Sequence, residues 1–128
     1  MKKLLILSIA MFTLFSCSSN DENLDPFIGN WSLFSVNGQE VDDCYKKNTV
    51  IILENGNLTT TSYDVIDNEC KLDDTSASTW KNKGNGNYGI TRIGSAEENL
   101  TKVTFNNNTF TFTETIGNTS ETTTFKRK

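Results

Sequence analysis

Thr101-Lys102-Val103-Thr104-Phe105-Asn106-Asn107-Asn108-Thr109-Phe110-Thr111-Phe112-Thr113 decides the fold. Val103 and Phe105 alternate with Lys102 and Thr104, and past Asn107-Asn108 the residues Phe110, Phe112 and Ile116 alternate with Thr109, Thr111 and Thr113. A period of two sends apolar side chains to one face of a strand and hydroxyls and charge to the other. Two asparagines between the runs supply the turn. The stretch is an antiparallel hairpin with one dry face and one wet face.

The same signals repeat outward in both directions. Strands are expected at Asn30–Val36, Thr49–Leu53, Asn57–Ile66, Ser76–Asn82, Asn87–Ile93, Leu100–Asn106, Thr109–Ile116 and Glu121–Lys126. Asn37-Gly38, Asn55-Gly56, Gly84-Asn85-Gly86 and Gly117-Asn118 punctuate them with residues that accept positive φ. In the first strand Trp31 and Leu33 are expected to face one way, Ser32 and Phe34 the other. Helical periodicity is absent apart from single-turn candidates at Val41–Lys47 and Ser95–Asn99. The expected fold is therefore all-β: an antiparallel up-and-down meander of about eight strands closing into a barrel, which removes exposed edges. A two-sheet sandwich is the alternative that pattern leaves open.

The N-terminus has a different character. Met1-Lys2-Lys3 is basic, and Leu4 to Phe15 is apolar except for Ser8 and Thr13. The run is shorter than the roughly 20 residues of a transmembrane helix and suits a cleaved signal peptide. Leu14-Phe15-Ser16-Cys17 resembles the lipobox of bacterial lipoproteins, with Phe15 bulkier than the usual small residue. The resemblance implies cleavage before Cys17 and a diacylglycerol on its thiol. Residues 1–16 are thus expected to be a signal peptide, 17–25 a lipidated, polar tether and 26–128 one folded domain. Ser18-Ser19-Asn20-Asp21-Glu22-Asn23 holds no apolar residue and reads as solvated chain. Its acidic character also resembles a surface-export signal. The expected location is the envelope of a Gram-negative bacterium, membrane-anchored through Cys17 and placed on the outer membrane, with its periplasmic or surface side left open.

Composition removes several functions. The chain carries 16 acidic and 12 basic residues. Without Lys2 and Lys3 the balance is 10 basic against 16 acidic, with no basic patch for nucleic acid. It has no histidine, so Ser-His-Asp or Cys-His catalysis and histidine-ligated metal are excluded. Both methionines, Met1 and Met11, lie in the signal peptide. The sequence points to no cofactor, and no carboxylate pair is held in a way that implies acid–base chemistry. The expectation is a protein that is not an enzyme.

With Cys17 lipidated, Cys44 and Cys70 remain, and in an oxidising compartment they are expected to pair. Both are expected in loops beside the Thr49–Ile66 hairpin. Asp42-Asp43, Asp64 to Glu69 and Asp73-Asp74 read as a solvated acidic loop rather than a calcium site, because the spacing is not that of an EF-hand.

Pro26-Phe27-Ile28-Gly29-Asn30-Trp31, the Asp42-Asp43-Cys44 run, Thr49 to Leu53 leading into Glu54-Asn55-Gly56, and the second cysteine resemble the lipocalin-like domain of small bacterial lipoproteins. Ser78-Thr79-Trp80 stands where that family repeats a Gly-x-Trp strand, here without the glycine. The resemblance implies a lipocalin-like barrel closed at one end by Trp31 packed under a cation from the last strand, Arg127 in preference to Lys126. It also implies a place for a small hydrophobic ligand among inward residues: Trp31, Leu33, Ile52, Tyr63, Trp80, Tyr88, Val103, Phe105 and Phe112. Short strands and large rings favour a filled interior, hence a structural or interaction module whose protein partner is unknown. Binding or carrying a small hydrophobic ligand in the barrel is the alternative.

Overall fold

The computed structural model describes residues 24–128; the expected signal peptide, Cys17 and most of the expected tether lie outside the described residues. The strands are β1 Gly29–Val36, β2 Gln39–Glu40, β3 Thr49–Ile52, β4 Asn57–Ile66, β5 Glu69–Gly84, β6 Asn87–Arg92, β7 Glu98–Asn106, β8 Thr109–Ile116 and β9 Thr119–Arg127. Among the described residues a 3-10 turn, Tyr45–Lys47, breaks the pattern. Each strand pairs antiparallel with the next in sequence, except that β3 passes β2 to pair with β1, and β1 also pairs with β9. That last pairing closes an eight-stranded barrel, with β2 as a short extra strand on the rim. The sandwich alternative falls, because one continuous sheet meets itself.

Facing residues in the ladders identify the interior. Val50 opposes Thr60, Ile52 opposes Leu58, Trp80 opposes Ile90, Val103 opposes Phe112 and Phe110 opposes Phe125. Directly opposed residues share a face, so alternation within each strand propagates around the barrel. The buried cluster is Phe27, Trp31, Val50, Ile52, Leu58, Trp80, Tyr88, Val103 and Phe110, with Ile28, Ile90, Phe105, Phe112 and Phe125 packed against it. On the outer face of β8 and β9 the hydroxyls pair across strands: Thr111 with Thr124, Thr113 with Thr122, Thr115 with Ser120.

Two strands differ from expectation. β5 runs 16 residues and begins at Glu69, where the acidic residues led to a loop being expected. Cys70 therefore sits in a strand, opposite Val65. The turn between β4 and β5 is Asp67-Asn68, both at positive φ (53° and 63°). Asn and Asp tolerate that region without a glycine, so the usual signal is missing. Second, β1 carries a bulge between Leu33 and Ser35. A bulge inserts one residue and reverses the in-out parity beyond it.

Candidate functional site: one closed end and one open end of the barrel

The closed end is built from the N-terminal segment. Phe27 is 2 % exposed and forms the floor of the barrel. Its ring meets Trp80 edge-on with centroids 5.7 Å apart, Tyr88 at 4.4 Å and Phe110 at 5.4 Å. Trp31 is fully buried and donates its indole N–H to the Phe27 carbonyl at 2.9 Å. The Arg127 guanidinium lies 4.2 Å from the centre of the Trp31 ring. It also donates to the carbonyls of Ile28 (3.0 Å) and Pro26 (3.2 Å). One cation thus joins the last strand to the chain that enters the first. Lys126, the other cation considered, lies over the Phe34 ring at 5.4 Å on the outside.

Gly29 explains the Gly-x-Trp spacing. Its φ is +147°, and a Cβ at this position would run into the Arg127 guanidinium. Only glycine lets the arginine reach the indole face. Asp25, which falls in the tether by composition, belongs to this end: it accepts from the Phe27 N–H (2.9 Å), from Asn82 Nδ2 (2.8 Å) and from the Tyr88 hydroxyl (2.7 Å). Burial, then the hydrogen bond and charge of Asp25, push the Tyr88 phenol well above its ordinary value.

The opposite end is open. A cavity of about 240 Å³ lies above the aromatic floor of Phe27 and Phe110, walled by Val50, Leu58, Ile90, Val103, Phe112 and Phe125. Thr60, Ser78, Thr101 and Glu114 form its polar rim. Of the ligand set expected from sequence, Val103 and Phe112 line this cavity. Trp31, Ile52, Trp80, Tyr88 and Phe105 pack in the closed end below it. Leu33 and Tyr63 are corrections, since they belong to neither group. Leu33 sits at the β1 bulge, half-buried and outside the core cluster. Tyr63 has the parity of Thr59 and Thr61, opposite to inward Leu58, and lies outside the barrel under Lys47, 5.8 Å from its ring. Phe27, Val50, Leu58, Ile90 and Phe125 were missed as interior residues. The alternation of Leu58 and Thr60 was available; the inward turn of Phe27 was not, because it precedes the first strand.

Beside the barrel, residues 62–66 and 69–76 of β4 and β5 continue past their neighbours. β3 pairs with β4 only as far as Thr61, and β6 with β5 only from Ser78. This projecting ribbon is tied back by the Cys44–Cys70 disulfide, whose Cα atoms are 5.5 Å apart. Tyr45 donates its hydroxyl to Asp64 at 2.9 Å, and Asn48 Oδ1 accepts the Tyr63 N–H at 2.6 Å. Among the described residues no group of three or more Cys, Asp or Glu side chains is placed to share a metal ion.

A single closed antiparallel barrel, plugged by aromatics at one end and hollow at the other, defines a cup-shaped class of fold. The family model described as "Lipocalin-like domain" matches residues 27–112. That is more than half of the 128 residues, and the chain belongs to this family. No curated protein matches the chain.

Proposed function

We propose that the chain is a lipid-anchored module of the bacterial cell envelope that holds one small apolar group in the mouth of its barrel and performs no reaction. In this reading residues 1–16 are removed, Cys17 carries the lipid and residues 17–23 span the distance from membrane to barrel. The observation that carries the binding half is the cavity above Phe27 and Phe110. Its size limits the guest. A cavity of about 150 Å³ holds a benzene ring, whereas drug-sized ligands occupy roughly 300–1,000 Å³. At about 240 Å³ the mouth suits one ring or a short aliphatic chain. The guest is then the end of a larger molecule or a partner's side chain. The filled-interior expectation holds for the lower half of the barrel only.

Two measurements test the two halves. Metabolic labelling with a fatty-acid probe is expected to mark the wild type and leave Cys17→Ala unlabelled; equal labelling removes the anchor. Benzene added to the purified chain is expected to shift the methyl NMR signals of Val50, Leu58, Ile90 and Val103 in a saturable way. Shifts confined to the outer face, or none up to the solubility limit, would remove the cavity reading.

A further inference from the structure

The barrel wall has a gap on one side. β7 and β8 are joined only by the four pairs from Val103–Phe112 to Asn106–Thr109. Beyond these, β7 continues to Glu98 paired with β6, and β8 continues to Ile116 paired with β9. Residues 98–102 and 113–116 are therefore paired on one side only. Their free edges border a cleft of about 500 Å³. Ile90, Thr101 and Glu114 line both this cleft and the barrel cavity, so the two spaces are continuous. Among the described residues no turn or loop supplies a backbone hydrogen bond to either edge.

Free strand edges are usually blunted by proline, lysine, a bulge or a covering segment. The β8 edge, Thr113-Glu114-Thr115-Ile116, has none of these; its one guard is an inward-pointing charge, which keeps the edge from pairing with an uncharged strand or with a copy of itself. Its one charge points inward, where Glu114 directly opposes Glu121 of β9. Like charges in direct register repel, and among the described residues neither carboxylate is in an ion pair. Lys102 borders the cleft from the outward side of β7 and does not neutralise them. Ile116 and Leu100 beside the gap are 79 % and 68 % exposed; Ile116, expected on the apolar face with Phe110 and Phe112, is thus a correction, because the β7–β8 ladder ends before it.

We propose that this edge docks an extended polypeptide segment of a partner protein. The segment adds as a strand antiparallel to β8, with a Lys or Arg side chain set beside Glu114 and Glu121. The backbone edge calls for a partner with N–H and C=O groups at strand spacing, which an extended peptide supplies. The opposed carboxylates call for a cation at one position of that strand. A second copy of this chain fits worse, because edge-to-edge pairing would gather Glu114 and Glu121 from both copies. An inward residue two places from the cation would reach the cavity; that detail rests on the proposed function, while the backbone pairing stands without it.

The test uses the full chain in detergent and the labelled peptide acetyl-Thr-Val-Thr-Lys-Thr-Val-Thr-amide. Expected are saturable binding by anisotropy and slowed amide exchange within residues 113–116. Glu114→Gln should weaken this peptide about two- to fivefold, as expected for one cross-strand ion pair, and leave a Lys-to-Gln analogue unchanged. N-methylation of alternate peptide amides should abolish binding. Unchanged exchange at 113–116 with bound peptide, or equal binding of the N-methylated form, overturns strand addition. Concentration-dependent protection of 113–116 without peptide assigns the edge to a second copy and also overturns it. Thr101→Phe fills the cavity, so loss of benzene binding with retained protection at 113–116 separates the two readings.

Discussion

Tyr88 and Asp25 join the entering chain to the barrel by a 2.7 Å hydrogen bond, and this bond has a pH signature. The Tyr88 phenol is raised above its ordinary 10.0, first by burial and then by Asp25. A raised native value means that the unfolded chain releases the proton first. The bond's contribution is therefore present in full below about pH 10 and is lost as pH rises further. Tyr45 is shifted the same way by its bond to Asp64, but it lies on the outer ribbon. Denaturant unfolding between pH 8 and 11 should show stability falling with pH, and Tyr88→Phe should flatten most of that fall. At neutral pH the same variant should lose about 0.5–1.5 kcal/mol, the usual net worth of one hydrogen bond. An unchanged slope in Tyr88→Phe would place the titration elsewhere. Tyr88 is identifiable as inward from alternation in the sequence, but its partner is not, because Asp25 precedes it by 63 residues.

The β4–β5 ribbon is where element boundaries depart most from pattern. Two strands without a third neighbour are marginal in water, and the projecting part carries Asp73 and Asp74, residues poorly suited to strands. Nothing local announces a 16-residue strand there. The disulfide, the Tyr45–Asp64 bond and the Asn48–Tyr63 bond hold it from outside. Closing a loop of 26 residues restricts the unfolded chain by about 3.5 kcal/mol in the chain-entropy estimate. Replacing both Cys44 and Cys70 by alanine should lower unfolding stability by about 2–3.5 kcal/mol. Amide exchange should quicken first within 62–74 while Trp31 and Val103 stay protected. Equal quickening throughout the barrel would show the ribbon to be part of the cooperative core.

The molecule divides into a packed lower half and a hollow upper half, and removing a ring from one and adding a ring to the other should tell them apart. Phe27→Ala removes the floor and should cost about 3–5 kcal/mol, the range for a deleted buried ring. Thr101→Phe places a ring where the cavity already is. It should leave the melting temperature unchanged or raise it, and weaken benzene at least tenfold. A clear fall in melting temperature would mean that the upper half is already full.

What the order of residues settles here is local. Alternation in 101–113, the Asn and Gly turns, and the absence of any helical period define strands, antiparallel pairing and one dry face, because side-chain direction in a strand depends only on parity. The Gly29-Asn30-Trp31 spacing is legible only as a family resemblance, and the reason for it, room for Arg127 over the indole, comes from the folded structure. Parity is silent where a bulge resets it, as after Leu33, or where a turn lacks glycine, as at Asp67-Asn68. It is also silent on stagger. Whether Val103 lines a cavity while Phe105 plugs the floor depends on how far each strand slides past its neighbours. That the β7–β8 ladder stops after four pairs depends on closure of the ring of strands. Those are properties of the whole sheet meeting itself, carried by contacts up to 101 residues apart in the chain.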